Sequence, residues 1–352
     1  MKMLLQIFSV LILTLTAASC RMAGESEVES SCRYARYFDI IEIGDTCTKA
    51  IVVISPYSGT RDTLLLDKPL GNLICMSSSQ VAGLSEIGAD SVISAVSGLR
   101  YITNPALHQR NVPDVGYEAS LDYETILNLK PDVVLAYTVS GAEPPYLSRL
   151  RSLGICVLVL HDHLENHPLA RAEYLRLYGA LTGHVDYADS LYASICERYD
   201  LLTAQYGANG RKVKVLMNVP YGDAWYIPGG DSYMARLVSD AGGEVLGAKS
   251  GTSHSRVITL EEAYRLSQSA DMWLNPGPCR TIADLRSFHH TFNMFGPVAQ
   301  GLPIYNNTLR TTPEGGNDFW ESGSVRPDLL LEDLLNIFSA SDRLLKYHFE
   351  VK

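Results

Sequence analysis

No apolar run in this chain is long enough to cross a membrane. A span needs about 20 apolar residues, and the best candidate, Met3 to Leu15, is shorter and is interrupted by Gln6, Ser9 and Thr14. Basic residues are also scarce. Lys and Arg total 29 against 39 Asp and Glu, a net charge of −10, which argues against a nucleic-acid binder with its basic face. The 7 cysteines show no CxxC or Cys/His spacing of a zinc site. There is no G-x-S-x-G elbow, no H-E-x-x-H and no Walker loop. A hydrolase or nucleotide-driven reaction therefore has no motif to rest on. What is present is 46% hydrophobic residues spread over 352 positions, enough for two lobes of a globular protein.

The N-terminus reads as an address. Lys2 precedes a short apolar stretch of the size of a secretory h-region, and Ala17, Ala18 and Ser19 lead directly to Cys20. This resembles the lipobox of bacterial lipoproteins, with Ala17 standing where leucine is usual. An ordinary signal peptide followed by a stray cysteine is the alternative. The resemblance implies a signal peptide over 1–19 and lipidation of Cys20, with 20–32 a solvated tether. Removing residues 1–19 takes away one lysine and no acid, leaving 28 − 39 = −11. Cys32 and Cys47 flank one N-terminal segment and could pair in an oxidising envelope. Cys75 and Cys156 lie in apolar strand-like runs and are expected to be buried.

Residues 33–66 read as a β-meander. From about residue 70 strands and helices alternate: "NLICM", "SSSQVAGLSEIGA", "SVISAVSG", then "SLDYETILNLKPDVVLAY" and "PPYLSRLRSLGICVLVLHD". Such alternation implies a parallel sheet covered by helices. "HVDYADSLYASICERYDLLTAQY" (184–206) interrupts it with one long amphipathic helix. The alternation resumes through "VKVLMNV", "SYMARLVSDAGG", "TLEEAYRLSQSA" and "DMWLN". The fold class expected is α/β, with two Rossmann-like lobes of parallel sheet joined by one long helix and an N-terminal meander. The lobes fall at 33–167 and 208–352, with 168–207 a bridging helical segment. Glu124 and Glu261 lie in the first turns of corresponding helices, where the macrodipole favours acids in any case. Thr259 and Glu262 have capping-box spacing.

On "NLICMSSSQVAGLSEIGA", "VPDVGYEASLDYETILNLKPDVVLAY", "LRSLGICVLVL" and the bridging helix, the chain resembles the substrate-binding proteins of bacterial ABC importers for iron-siderophores, haem and cobalamin. The likeness runs over residues 70–338. It implies an exported, lipid-anchored, monomeric receptor on the periplasmic side of the envelope, with no cofactor of its own. The ligand would be an iron or cobalt chelate, and the partner the transmembrane permease. By position, Glu124 and Glu261 match the two glutamates with which the family docks on permease arginines. A ligand sensor, a storage lipoprotein and a chelatase-like enzyme on the same fold are the alternatives.

In open α/β sheets ligands bind beyond the carboxyl ends of the strands. That rule nominates Ser78, Tyr101, Tyr137 and His163 in the first lobe. In the second, "PYGDAWYIPGGDSY" offers Tyr221, Trp225 and Tyr226 as aromatic faces for a flat ligand. Arg280 is placed to meet an anionic group, with Arg100 placed similarly in the first lobe. Tyr117, in "VGY", corresponds to the residue that haem-binding members use as an axial ligand, although "VGY" also occurs in members binding other complexes. In "HDHLENH", His161 and His163 would share a direction along the strand, suiting a metal ion or contact with a chelate. His167, before Pro168, begins the bridging element. His289 and His290 read as packed or surface residues.

Overall fold

The computed structural model describes residues 30–43, 48–206 and 211–352. Cys20, the signal segment and most of the tether, and the Cys47 partner of a Cys32–Cys47 bridge, lie outside the described residues.

Three antiparallel strands open the described chain: β1 (Phe38–Glu42), β2 (Lys49–Ile54) and β3 (Arg61–Leu66), in that order. The expected meander is present. It leans on the first lobe through β1 and β2, with Phe38 packed edge-on against Tyr174 at 4.6 Å.

The first lobe is a parallel sheet made of β4 (Leu73–Cys75), β5 (Ile93–Val96), β6 (Val133–Tyr137) and β7 (Val157–Leu160), ordered β5-β4-β6-β7. Its central strands are apolar throughout because helices cover both faces. Those helices are α1 (Ser78–Glu86), α2 (Pro105–Gln109), α3 (Tyr123–Leu129) and α4 (Pro145–Ser152). Ser77 and Gln80 form a reciprocal capping box at the start of α1, so the serine-rich turn is consumed by the helix start. Cys75 is buried as expected, but Cys156 is exposed, because it precedes β7 rather than standing within it.

Residues 168–207 hold two helices, α5 (Pro168–Thr182) and α6 (Val185–Tyr206), which pack on each other as a hairpin around Gly183. The second was expected as the connector. The first takes that part: α5 touches α1 of the first lobe and elements of the second. Every α5 residue except Arg171 and Arg176 is buried. A helix buried nearly all round carries little amphipathic period, so the sequence marks 168–207 as helical without separating α5 from α6. Glu173, inside α5, accepts the backbone N–H groups of Arg33, Tyr34 and Ala35 at 2.7–2.8 Å and fastens the chain before β1 to this spine.

The second lobe contains β8 (Val213–Met217), β9 (Trp225–Ile227), α7 (Tyr233–Asp240), β10 (Gly243–Val245), β11 (Arg256–Ile258), α8 (Leu260–Ser267) and β12 (Met272–Leu274). It continues through α9 (Ile282–Phe288), α10 (Gly296–Gln300), β13 (Ile304–Asn306), α11 (Ser322–Val325), α12 (Pro327–Phe338) and β14 (Phe349–Glu350). The sheet order is β10-β8-β12-β13-β14, parallel except for β14, while β9 and β11 form a separate antiparallel pair.

The segment between β13 and α12 returns to the first lobe. Glu321, nearly fully buried, accepts the backbone N–H groups of Thr103 and Asn104 at 2.7 and 3.0 Å. Asp318 accepts the Thr103 hydroxyl, and Arg326 reaches Glu86 at 3.4 Å. The approach is so close that a Cβ at Gly316 would overlap the Tyr101 carbonyl oxygen. With α11 resting on α1 and α5, this strap braces the two lobes against each other.

Candidate functional site

The carboxyl ends of both sheets meet in a cleft containing two adjoining cavities of about 570 and 520 Å³ that share Asn218, Asn275 and Trp320. Each is of the size that holds a small-molecule ligand. The larger is lined from the first lobe by His163, Glu165 and Arg171, from the meander by Tyr37 and Tyr57, and from the second lobe by Tyr233 and His254. The smaller is lined by Arg280, Thr308 and the 311–317 segment. Another inter-lobe cavity, about 490 Å³, lies along α1 under the strap. The ion pairs Arg310–Asp318 and Arg326–Glu86 and the hold of Glu321 on Thr103 and Asn104 engage most of its charges in bracing the lobes.

Four expected residues of the first lobe stand together. Tyr101, Tyr117 and Tyr137 each expose between 36% and 41% of their surface. Tyr101 and Tyr117 have ring centroids 6.3 Å apart, and Tyr137 meets His163 edge-on at 6.0 Å. Tyr137 ends β6, while Tyr101 and Tyr117 stand in the segments after β5 and α2, so the three share one edge of the lobe; of the four residues only His163 lines a cleft cavity. Burial raises the Tyr117 phenol pKa above its ordinary value, helped by Asp114, and burial does the same for Tyr137.

His163 ends this row. Both of its ring nitrogens are buried and neither makes a hydrogen bond of regular geometry among the described residues, although the Thr138 backbone stands close enough to act on the ring. Burial lowers its pKa and the Arg171 charge adds to this, while Asp162 and the Thr138 backbone pull the other way. The ring is thus held toward the neutral form, the one that can ligate a metal or accept a proton bond. His161 is buried behind it, between Tyr37 and Tyr57, its pKa pushed down to about 4 chiefly by desolvation. The two histidines therefore do not share a ligand. His167 caps α5 and stacks on Tyr34, and His289 and His290 stack on each other near the surface. Among the described residues, no group of three His, Cys, Asp or Glu side chains could hold a metal ion.

The second-lobe aromatic loop requires correction. Trp225 is 1% exposed, donates its indole N–H to the Met217 carbonyl, and packs with Trp273 and Phe295 in the core. The segment is strand β9, and alternation along it turns Trp225 inward and Tyr226 outward. Tyr221 is 85% exposed on a turn, and neither it nor Tyr226 lines the cleft cavities. Ser78 opens α1 half-buried and lines neither cavity. Arg280 does line the cleft; its guanidinium donates to the Thr308 carbonyl and lies over Phe349. Arg100 lies over Tyr101 on the exposed rim.

Of the aromatic residues in the 220–233 segment, only Tyr233 lines the cleft, whereas Tyr37, Tyr57, Arg171, Asn275 and Trp320 were missed as cleft residues. Only Asn275 carried a signal, since it directly follows β12. The others reach the cleft through long-range docking of the meander, α5 and the strap.

Glu124 and Glu261 are exposed in the first turns of α3 and α8. Thr259 caps α8 as expected, but Glu262 turns to Arg256 at 2.7 Å and leaves the cap backbone alone.

Two braced α/β lobes around a strand-end cleft define a solute receptor of the single-spine type. The model of the periplasmic binding protein family matches residues 73–281, more than half of the chain, and the chain belongs to that family. A periplasmic heme binding protein from Pseudomonas aeruginosa shares the fold with a TM-score of 0.59 at 18% identity, covering 80% of this chain and 98% of its own. A periplasmic vitamin B12 binding protein of Vibrio cholerae aligns at 0.57 and 15% identity, covering 78% and 99%. A possible iron-binding, periplasmic solute-binding protein from Staphylococcus epidermidis aligns at 0.60 and 16%, covering 77% and 99%. An uncharacterized lipoprotein of Methanocaldococcus jannaschii is 23% identical over 78% of this chain, which spans 66% of that relative's length.

Proposed function

We propose that this protein is the lipid-anchored substrate-binding component of an ABC importer, capturing a metal chelate and delivering it to the transmembrane permease. The observation that carries this reading is the edge of the first lobe. A row of half-exposed tyrosines there ends in His163, which lines the larger cavity and whose two buried ring nitrogens make no regular hydrogen bond. Aromatic faces suit a conjugated or catechol-bearing complex. A single neutral imidazole offers one metal bond, so the other ligands would belong to the chelate. Ferric siderophores, haem and cobalamin are the ligand classes, in keeping with what the named fold relatives bind.

No helix among the described residues is long and apolar enough to cross a membrane. Membrane attachment is assigned to Cys20 on its lipobox-like context, and the lipoprotein relative supports that assignment. The exposed pair Glu124 and Glu261 would provide two docking points on the permease, individually weak but strong when a rigid body joins them.

The test is direct. Protein incubated with hemin, cyanocobalamin and ferric siderophores is examined by native mass spectrometry and absorption spectroscopy. A stoichiometric complex with one of them is expected. Failure of every chelate to bind would overturn the reading.

A further inference from the structure

We propose that the chelate taken by this cleft is an anion, whose carboxylate or catecholate oxygens are bound by Arg171 and Arg280. This rests on the chelate-receptor reading above and narrows it to a charge class.

The protein carries ten more acids than bases, 39 against 29, yet the cleft has the opposite balance. Arg171 and Arg176 are the two α5 residues that are not buried. Arg176 is neutralised by Asp189 at 2.8 Å and Glu173 at 3.5 Å. Among the described residues Arg171 has no carboxylate within 4.0 Å. Instead it donates to the His163 carbonyl at 2.8 Å and lies 3.9 Å over the Tyr233 ring. Those contacts hold a guanidinium in place at the larger cavity without cancelling its charge. Arg280, at the adjoining cavity, makes a carbonyl and a ring contact with its guanidinium and no ion pair among the described residues, although Asp284, bound to its backbone N–H at 2.9 Å, feels its charge. Arg310 and Arg326, under the strap, are both paired with acids, so an unpaired arginine is not the general condition here.

Among the residues lining the two cavities, Glu165 is the single carboxylate. It accepts the backbone N–H groups of Arg36 and Tyr37, and burial raises its pKa to about 7, which lessens its charge. Glu118 lies outside the cavities, near Tyr137. Three further polar groups on these walls have no partner: the Tyr233 hydroxyl, the Asn275 side-chain oxygen and the Thr308 hydroxyl. Tyr233 is 4% and Asn275 7% exposed. Buried polar atoms without partners are rare and costly, and a ligand rich in oxygen and hydroxyl groups would satisfy them. Planar guanidiniums match carboxylate and catecholate oxygens in a two-pronged geometry that neutral hydroxamates and corrins do not reward as well.

The experiment titrates the full chain with anionic probes (ferric tris-catecholate, ferric citrate and hemin) and with neutral ones (ferrichrome and cyanocobalamin), following intrinsic fluorescence. An anionic probe should bind about tenfold or more tightly than either neutral one, the factor that one charged contact supplies. Its affinity should fall as salt rises. Arg280→Gln should weaken that probe about tenfold, with partial rescue by Arg280→Lys. Arg280 is exposed, so this variant remains informative even where Arg171→Gln impairs folding. Tighter binding of a neutral probe, unaffected by Arg280→Gln, would overturn the charge assignment and leave the chelate reading standing. Binding of no probe would overturn both.

Discussion

Trp225 and Tyr226 are neighbours with opposite fates, and their contrast is measurable. Trp225→Ala removes a fully buried indole and its bond to Met217, which should cost about 3–5 kcal/mol in chemical denaturation. Tyr226→Ala, on the outward face of β9, should cost under about 1 kcal/mol. Equal losses would contradict the strand assignment. The same pair shows why the site was half legible. Tyr101, Tyr137 and His163 were readable because each lies at the carboxyl end of an apolar strand or within a few residues past it, which is where ligands of a parallel sheet lie. Trp225 was not, because β9 has three residues and stands among glycines and prolines. Its partner β11 begins some thirty positions later, at Arg256. Nothing local announces such a pairing. Trp320 and Arg171 were hidden for a related reason: each reaches the cleft through packing of distant segments.

At the level of elements, the alternating core was legible from periodicity, whereas α5 and the strap were not. A helix buried on nearly every side has little polar face to count from, and the strap's hold on Thr103 and Asn104 comes from two carboxylates, Glu321 and Asp318, far away in sequence. The meander was legible as a fold but not as a wall. Its Tyr57 borders the larger cavity, so Tyr57→Ala should alter which chelates bind while shifting the melting temperature little. A binding panel identical to that of the unaltered protein would confine the meander to a structural role. Two buried glutamates give these contacts a pH dependence. Burial raises Glu165 and Glu321 each from an ordinary value near 4.5 to about 7. The folded state therefore holds more protons than the unfolded one between those values. Stability from these groups is greatest below about pH 4.5 and falls as pH rises through about 7. Glu165→Gln keeps an acceptor for both the Arg36 and Tyr37 N–H groups, since both bind one oxygen. It should flatten the decline in melting temperature between pH 5 and pH 8. Glu321→Gln should be less well tolerated, because Thr103 and Asn104 use separate oxygens. A decline unchanged in Glu165→Gln would place the titration elsewhere.

For the whole molecule, docking and binding should separate. Glu124 and Glu261 open α3 and α8 at exposed positions and line neither cleft cavity. Alanine at both should abolish chelate uptake by cells lacking the native protein while leaving the dissociation constant for the chelate within about twofold of the original. Single replacements should be intermediate, and lysine should be worse than alanine. Normal uptake by the double variant would reduce both residues to helix-start acids. The strap from Asp318 to Arg326 adds a kinetic consequence. With Glu321 and Asp318 holding the first lobe and α11 resting on α1, a filled receptor should offer a permease nearly the same outline as an empty one. The empty molecules then become competitors, occupying the entry port without delivering anything. Uptake at a fixed, limiting supply of chelate should rise with receptor number, pass through a maximum, and decline as unfilled copies crowd the transporter. Cells making this protein from a graded promoter would reveal that turning point as an optimum in receptor abundance rather than a plateau.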